Sequence, residues 1–304
     1  MRIDSENAKA MMPDYHIGSL DEKSKAALAD GEIVVEGGEP RDVFLQAKVW
    51  SKAILTEKCK ISADTKVFTF TLDHEAQTVG LPIGQHLMMR LRDPVTREAI
   101  IRAYTPISEG TDRGKLHVLI KIYYDQPDRK GGRMTQALDS IPVGHFVDFK
   151  GPVGKFEYLG KGLCTISGRE RRVRRFIMVC GGSGITPIFQ VLRAVLKDKD
   201  DPTFCVVLDG NRVEEDILCK SELDAMVSGN EHKCRLLYTL SRPEANWTGL
   251  RGRMDQALFE KEVGQPRGES EDLVLICGPE PLEKSAREIF TTKLGWNEND
   301  LLFF

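Results

Sequence analysis

The sequence predicts a two-domain protein, with an antiparallel β-barrel followed by an α/β domain built on a Rossmann-like parallel sheet. A chain of 304 residues is long enough for two hydrophobic cores. Apolar and polar residues alternate with period two in the first half, whereas apolar runs alternate with helical patterns from about residue 174 onward. Glycine-rich segments at 181–187 and 277–281 follow two of those runs, at positions where parallel sheets bind ligands.

The barrel is assigned to residues 43–160. Residues 1–42 contain two short helical patterns and a linker, and are too short to bury a core of their own. Barrel strands are expected where β-branched and aromatic residues alternate with polar ones, at 67–72, 87–91 and 117–124, with one short helix at 134–138.

The α/β domain is assigned to residues 161–304. Strands are expected at 176–180, 204–208, 236–240 and 273–276. Helices are expected at 188–196, 221–226 and about 282–294. This alternation is typical of a parallel sheet with helices on both faces.

Composition narrows the class of protein. The 41% hydrophobic and 29% charged content is that of a soluble globular protein, and a net charge of -3 argues against a general nucleic-acid binder. Seven scattered cysteines without a CxxC pair indicate reduced thiols, so no disulfide framework or metal site is expected. No signal core or membrane-spanning stretch is found, so we expect a cytoplasmic protein without a membrane partner.

The segment 181–187, GGSGITP, is a candidate phosphate-binding loop. Gly181, Gly182 and Gly184 let the backbone approach a ligand, and the N–H groups of the following helix attract negative charge. The segment is neither a GxGxxG fingerprint nor a P-loop with its lysine. A purely structural turn therefore remains the alternative.

The segment 102–108, RAYTPIS, is a second candidate. Arg102 offers a planar fork to a diphosphate, Tyr104 an aromatic face with a hydroxyl, and Thr105 a short donor for the edge of a ligand ring. The alternative is an edge strand that ends at proline and carries a surface arginine. A GGRMT segment at 131–135 adds another anion site at a helix start.

Eight segments occur in a defined order along the chain. They are RAYT at 102–105, IKIY at 120–123, GGRMT at 131–135, KGP at 150–152, GGSGITP at 181–187, GNR at 210–212 with EDIL at 215–218, CGPEP at 277–281 and FF at 303–304. This set resembles the ferredoxin-NADP reductase superfamily in its cytochrome b5 reductase branch. Within it, residues 44–304 are most similar to the C-terminal flavin–nicotinamide portion of the fungal assimilatory nitrate reductases.

The resemblance implies FAD and NADPH as cofactors. For FAD it implies contacts from Arg102, Tyr104, Thr105, Lys121, Tyr123, Gly132, Met134, Thr135 and Thr186. For the nucleotide it implies Gly181, Gly182, Gly184, Gly278 and Pro279. Cys277, Thr105 and Phe304 are the residues it places beside the reacting rings, with Phe304 as an aromatic cover over the flavin. The alternative for Cys277 is a small buried residue at the end of a strand.

Nucleotide preference is assigned to Ser241 and Arg253, with Arg242 or Arg251 as helpers. NADH-selective members of the family carry Asp where this chain has Ser241. An aspartate repels a 2′-phosphate, whereas serine tolerates it and an arginine binds it. The alternative is that Ser241 only ends a strand and Arg253 is solvated.

The resemblance further implies a reductase that passes electrons from NADPH through FAD to a cytochrome b5-type haem domain, in the same polypeptide or separate. In a complete nitrate reductase, haem and a molybdenum cofactor would lie outside this chain. Residues 1–42 resemble the end of a haem domain, but Asp4 stands where the second haem-binding histidine is expected. The alternatives are a free-standing NAD(P)H-cytochrome b5 reductase and a nucleotide-binding module without turnover.

The basic run at 169–175, RERRVRR, is the last feature that the motifs do not explain. We interpret it as a solvated loop between the domains. The alternative is a docking patch for an acidic haem domain.

Overall fold

The structure is a computed structural model that describes residues 41–93, 96–268 and 271–304. The helices and the haem-domain remnant expected within residues 1–40 lie outside the described residues. Asp42–Phe304 forms one compact unit by itself. None of the helices in the described ranges is both long and apolar enough to cross a membrane.

The first half of this unit is a six-stranded antiparallel sheet, counted over the described residues, with strand order β4-β3-β6-β1-β2-β5. Its strands are β1 (Ser51–Lys60), β2 (Thr65–Thr71), β3 (His86–Arg92), β4 (Ala99–Tyr104), β5 (Lys115–Lys121) and β6 (Phe146–Val153), with helix α1 (Arg133–Ser140) before β6. Phe68, Phe70 and Phe149 are fully buried in its core. This confirms the antiparallel domain that the period-two pattern predicts.

A small antiparallel sheet follows, with three strands among the residues described, and the sequence pattern did not predict it. Its strands are β7 (Phe156–Gly160), β8 (Leu163–Ile166) and β9 (Arg169–Arg172). The interpretation of 169–175 as a solvated loop is wrong, because Arg171 donates to the Asp272 carbonyl at 2.6 Å and pairs with Asp300. Arg171 thus joins the small sheet to the next domain.

The second half contains a parallel sheet in the order β13-β12-β11-β10-β14-β15, six strands in the part of the chain that the structure describes. Its strands are β10 (Arg175–Gly181), β11 (Phe204–Asn211), β12 (Cys234–Leu240), β13 (Leu250–Arg251), β14 (Asp272–Cys277) and β15 (Leu301–Phe303). Its helices are α2 (Ile185–Lys197), α3 (Lys220–Val227), α4 (Gln256–Glu262) and α5 (Glu280–Glu288), the last continued by a π-helical turn at Ile289–Lys293. The predicted Rossmann-like domain is confirmed, although β13 and β15 were missed.

Strand β10 lies at the centre of this sheet, and all of its residues are buried. Phe176, Met178 and Cys180 belong to one hydrophobic cluster, whereas Ile177 and Val179 belong to another. Since successive strand residues point to opposite faces, the two clusters cover both faces of the sheet. Because both faces of β10 are covered, its sequence is a nearly continuous apolar run and does not alternate with polar residues.

Helix α2 also binds the antiparallel domain. The Gln190 side chain accepts a hydrogen bond from the Gly84 N–H at 2.8 Å. Arg193 donates to the carbonyls of Ile107 and Ser108 at 2.7 and 2.8 Å, and Lys197 forms an ion pair with Glu109. Positions 190, 193 and 197 share one helix face, so one face of α2 fixes the chain that follows Thr105.

The prediction from this fold concerns the buried ion pair between Arg175 and Asp272, whose side chains are 4% and 2% exposed. Arg175→Met leaves the Asp272 carboxylate buried without its cation, so the free energy of unfolding should fall by about 3–5 kcal/mol. The neighbouring Arg174 is 82% exposed and lies 3.7 Å from Glu271, so Arg174→Met should cost under about 1 kcal/mol. Urea unfolding of both variants measures the difference, and equal losses would contradict it.

Candidate functional site

Four polar side chains form a row across the carboxyl edge of the parallel sheet, where its strands end. Cys180 on β10 is the register partner of Cys277 on β14 and of Asp209 on β11. Asp209 is in turn the register partner of Tyr238 on β12. Register partners on neighbouring strands point to the same face of a sheet. The row therefore lies directly below the loops that follow these strands.

The two glycine-rich segments predicted from the sequence meet at this edge. A Cβ added to Gly184 would lie 2.1 Å from the Cys277 carbonyl oxygen. One added to Gly278 would lie 2.8 Å from a methyl group of Leu282 and 3.3 Å from the Gly181 nitrogen. Gly182 has a φ of 57°, which side chains disfavour. The backbone contact at Gly184 therefore leaves no room for a side chain, whereas at Gly182 the positive φ is what favours glycine.

The helix that follows the first glycine segment begins at this edge, after a 3₁₀ turn at Gly182–Gly184 in which the Ile185 N–H donates to the Gly182 and Ser183 carbonyls. No side chain caps the start of α2 at Gly184, and the Thr186 hydroxyl donates instead to the Ser183 carbonyl at 3.1 Å. An anion at this end of a 13-residue helix would meet backbone donors and the positive end of the helix dipole.

The predicted RAYT segment runs along the last residues of β4, an outer strand of its sheet. Arg102 is exposed, and one of its nitrogens donates to the Ile101 carbonyl at 2.7 Å. Tyr104 is half-buried, and burial raises the pKa of its phenol, with Tyr123 adding to the shift. Thr105 is buried at the end of the strand. The guanidinium therefore faces solvent beside an aromatic ring that stays neutral.

The GGRMT segment packs against the residues that follow β5. The Gly132 N–H donates to the Tyr123 carbonyl at 2.7 Å, and the Thr135 hydroxyl accepts from the Tyr123 N–H at 3.2 Å. Met134 is buried in the core, which anchors the start of α1. No side chain caps α1 at Gly132, so the first N–H groups of this helix have no capping side chain as a partner.

Lys121 lies between the two domains. Its ammonium is 2.9 Å from a carboxylate oxygen of Asp216 and 3.2 Å from one of Asp64. Burial lowers the pKa of Lys121, but the two carboxylates outweigh it and raise this pKa above the ordinary value. The contact with FAD that the resemblance implies for Lys121 stays a prediction, and the structure adds a link from β5 to the loop after β11.

Cys277 and Phe304 lie together at the end of the sheet. Strand β15 pairs with β14, and the Phe304 N–H donates to the Ile276 carbonyl at 3.1 Å. The Phe304 ring meets Phe156 edge-on, with centroids 6.0 Å apart. Burial raises the pKa of the Cys277 thiol to about 12, and the Glu283 carboxylate adds to the shift. Cys277 is therefore a neutral thiol near pH 7, which is poorly suited to act as a nucleophile.

Ser241 and Arg253 follow two strands that pair with each other. Leu240 on β12 is the register partner of Arg251 on β13, and the Gly252 N–H donates to the Leu240 carbonyl at 2.8 Å. Ser241 and Arg253 are both exposed. Arg251 instead donates to three carbonyls, those of Glu244, Ala245 and Trp247, and so organises the loop before β13.

Sequence reasoning missed Asp209, Asn211 and Glu283. The Asn211 side chain accepts from the Gly182 N–H at 3.3 Å, and that of Glu283 accepts from the Gly278 N–H at 3.2 Å. A carboxylate at the end of the apolar run FCVVL was a usable signal for Asp209, because charged residues are rarely fully buried. Across residues 41–93, 96–268 and 271–304, no group of three or more His, Cys, Asp or Glu could hold a metal ion.

Two families match the two halves of the described unit. The family described as oxidoreductase FAD-binding domain matches residues 52–158, and the one described as oxidoreductase NAD-binding domain matches residues 178–288. Residues 102–105 and 131–135 fall within the first, and residues 181–187 and 277–281 fall within the second. FAD and a nicotinamide nucleotide are thus the cofactors of these domains.

Longer proteins and a solved structure are also similar. The chain is 59% identical to a nitrate reductase [NADPH] of Beauveria bassiana and 58% identical to one of Fusarium oxysporum, over 100% of its length. It spans 34% of the length of each of these curated relatives. The crystal structure of the cytochrome b5 reductase domain of Ulva prolifera nitrate reductase is 34% identical, with a TM-score of 0.79, over 86% of this chain and 99% of that one.

The prediction from this site concerns the buried carboxyl of Asp209. Burial raises its pKa from 3.8 to about 7, opposed by a hydrogen bond from the Cys180 thiol. Between about pH 4 and pH 7 the unfolded chain loses a proton that the folded protein keeps, so this group destabilises the fold as pH rises, by about 1.4 kcal/mol per pH unit.

Asp209→Asn removes this titration. Relative to the parent, the variant should therefore gain about 2 kcal/mol in the free energy of unfolding between pH 5 and pH 7. Urea unfolding at several pH values measures the gain. The matched control is Asp200→Asn at an exposed position, for which the difference from the parent should not change over this range. A pH-independent difference for Asp209→Asn would contradict the prediction.

Proposed function

Since the chain belongs to the family of the cytochrome b5 reductase domains of nitrate reductase, we propose that it transfers electrons from NADPH through FAD to a haem acceptor. When bound, FAD takes up a hydride and releases its two electrons one at a time. The proposal rests on one observation. Helix α2 begins within the glycine-rich segment 181–187 and also holds the chain that follows Thr105. One rigid element thereby connects both cofactor segments.

The residues around β4 and α1 fit FAD. Arg102 presents a solvent-facing fork, and the uncapped start of α1 presents N–H groups, which together match the charge of a diphosphate. A Cβ at Gly131 would lie 2.2 Å from the Tyr123 carbonyl oxygen, so this cradle requires glycine. Tyr104 and Thr105 would orient the flavin ring, with Tyr123 beside them.

The carboxyl edge of the parallel sheet fits the nicotinamide nucleotide. Gly181, Gly182 and Gly184 would let a diphosphate approach the backbone at the start of α2, which no side chain caps. Gly278 and Pro279 would form the opposite wall. Cys277 would meet the nicotinamide ring as a neutral thiol, and Phe304 would exclude water from the space where the two rings meet.

We further propose that this chain works with a cytochrome b5-type haem domain. The matched relatives are named nitrate reductases. This chain spans 34% of the length of such a relative, which is therefore about three times as long as this chain. Their length favours a haem domain in the same polypeptide over a free-standing NAD(P)H-cytochrome b5 reductase with a separate partner. In such a complete enzyme, which we place in the cytoplasm, the electrons would reduce nitrate to nitrite.

The test of this function uses the purified chain loaded with FAD. Its yellow colour should bleach when NADPH is added without oxygen, and it should then reduce ferricyanide and cytochrome c but not nitrate. Visible spectra and steady-state rates measure both. An unbleached flavin would overturn the electron-transfer proposal in favour of a nucleotide-binding module without turnover, whereas nitrate reduction by this chain would contradict the assignment of that step to other domains.

The predicted preference for NADPH is tested by Ser241→Asp combined with Arg253→Ser. The aspartate would repel the 2′-phosphate and the second change would remove its cation, so the ratio of kcat/KM for NADPH over NADH should fall by at least about tenfold, or about 1.4 kcal/mol. Thr248→Asp, at an exposed neighbouring position, controls for added negative charge. An unaltered ratio in the double variant would remove both residues from the specificity site.

A further inference from the structure

We propose that Glu283 is a positioning residue for hydride transfer, which holds the Cys277–Gly278 turn in the conformation that seats the nicotinamide ring. This inference rests on the proposed function. The proposed role belongs to a side chain on α5, which lies outside the glycine-rich segments predicted from the sequence.

The contact arises from the way α5 begins. The residue that caps the helix is Pro279, which has no N–H. An acidic side chain in the first turn of a helix commonly accepts a hydrogen bond from the N–H of the capping residue. Because Pro279 offers none, Glu283 reaches one residue further back and accepts from the Gly278 N–H at 3.2 Å. The bond therefore fixes the turn before the helix.

The other side of the turn is already confined. Gly278 lies in close contact with the Gly181 nitrogen, and the Cys277 carbonyl lies against Gly184 at a distance where no Cβ fits. Among the described residues, the bond from Glu283 is the single side-chain hydrogen bond made to the backbone of 277–279. Without it, the Cys277–Gly278 peptide loses the partner of its N–H, so it can rotate within the space that the contact of its carbonyl with Gly184 leaves. Such a rotation would move the Cys277 end of the site and leave the fold intact.

Glu283 also lies close enough to the thiol to affect its charge. Its carboxylate adds to burial in raising the pKa of Cys277. Removal of the negative charge should therefore lower this pKa and speed alkylation of Cys277 at a given alkaline pH. Alkylation thus reports the charge beside the thiol, separately from the hydrogen bond to the turn.

The experiment compares Glu283→Ala with Glu283→Gln in the FAD-loaded chain. Glutamine keeps an oxygen that accepts the Gly278 N–H, whereas alanine does not. Glu288 lies on the same helix and is exposed, so Glu288→Ala is the matched control. Rates are measured with NADPH and with its C4-deuterated form, using ferricyanide as acceptor, together with FAD content, urea unfolding and hydrogen exchange at the Gly278 amide.

Glu283→Ala should lower kcat by about tenfold or more, because small errors in ring placement are costly for transfer. It should increase the deuterium isotope effect and change KM by less than about threefold, since the ring and not the diphosphate is displaced. Gly278 should exchange faster, with FAD content unchanged. Glu283→Gln should restore kcat to within about threefold of the parent while Cys277 alkylation quickens, and Glu288→Ala should match the parent throughout.

Three results would overturn the inference. A parental kcat and isotope effect in Glu283→Ala would show that the turn needs no support. An equal loss in Glu283→Gln would show that charge, and not the held turn, matters. A loss that accompanies unfolding or FAD release would show a general structural role. If the parent chain does not oxidise NADPH, the proposed function fails and the inference with it, whereas a failure confined to the Glu283 variants leaves that function standing.

Discussion

The relative arrangement of the two proposed cofactor segments depends on one face of helix α2. Its Arg193 guanidinium donates to two carbonyls of the antiparallel domain, and its Gln190 amide accepts from a third backbone group. A hydrogen bond to a charged group contributes about 1.5–3 kcal/mol, and an unpaired buried donor costs a similar amount. The same helix starts at the glycine loop of the other domain. Any displacement of α2 would therefore move the two cofactor segments relative to each other.

Close backbone packing then determines the shape of the carboxyl edge. The two glycine-rich loops meet at Gly184, where the Cys277 carbonyl lies at a distance that excludes a Cβ, and Gly181 and Gly278 are in close contact beside it. Strand β15 extends the sheet, and Phe304 after it lies next to β14, the strand that ends at Cys277. The site is thus assembled from segments far apart in the chain, which are held by main-chain contacts and by the side chains of Asn211 and Glu283. Such a site is largely preorganised before any ligand binds.

Local pattern was sufficient for the kind of fold and for the glycine segments. Period-two alternation and long apolar runs report burial directly, so the two sheets and helix α2 could be predicted. The run at 169–175 was misinterpreted because its partner, Asp272, is about a hundred residues away and no local pattern reveals it. Asp209 and Glu283 were missed for the same reason. Their roles depend on strand register and on how α5 begins, which arise only from tertiary contacts.

The ion pairs of Lys121 determine how the contact between the two domains responds to ionic strength. The Lys121 side chain is only 12% exposed and its ammonium contacts Asp216 and Asp64, whereas the Lys197 side chain, which pairs with Glu109, is 63% exposed. Mobile ions screen exposed charges within about 8–10 Å at physiological salt but reach buried pairs poorly. Concentrated salt would thus weaken the Lys197 contact first, and the two domains would stay joined through Lys121.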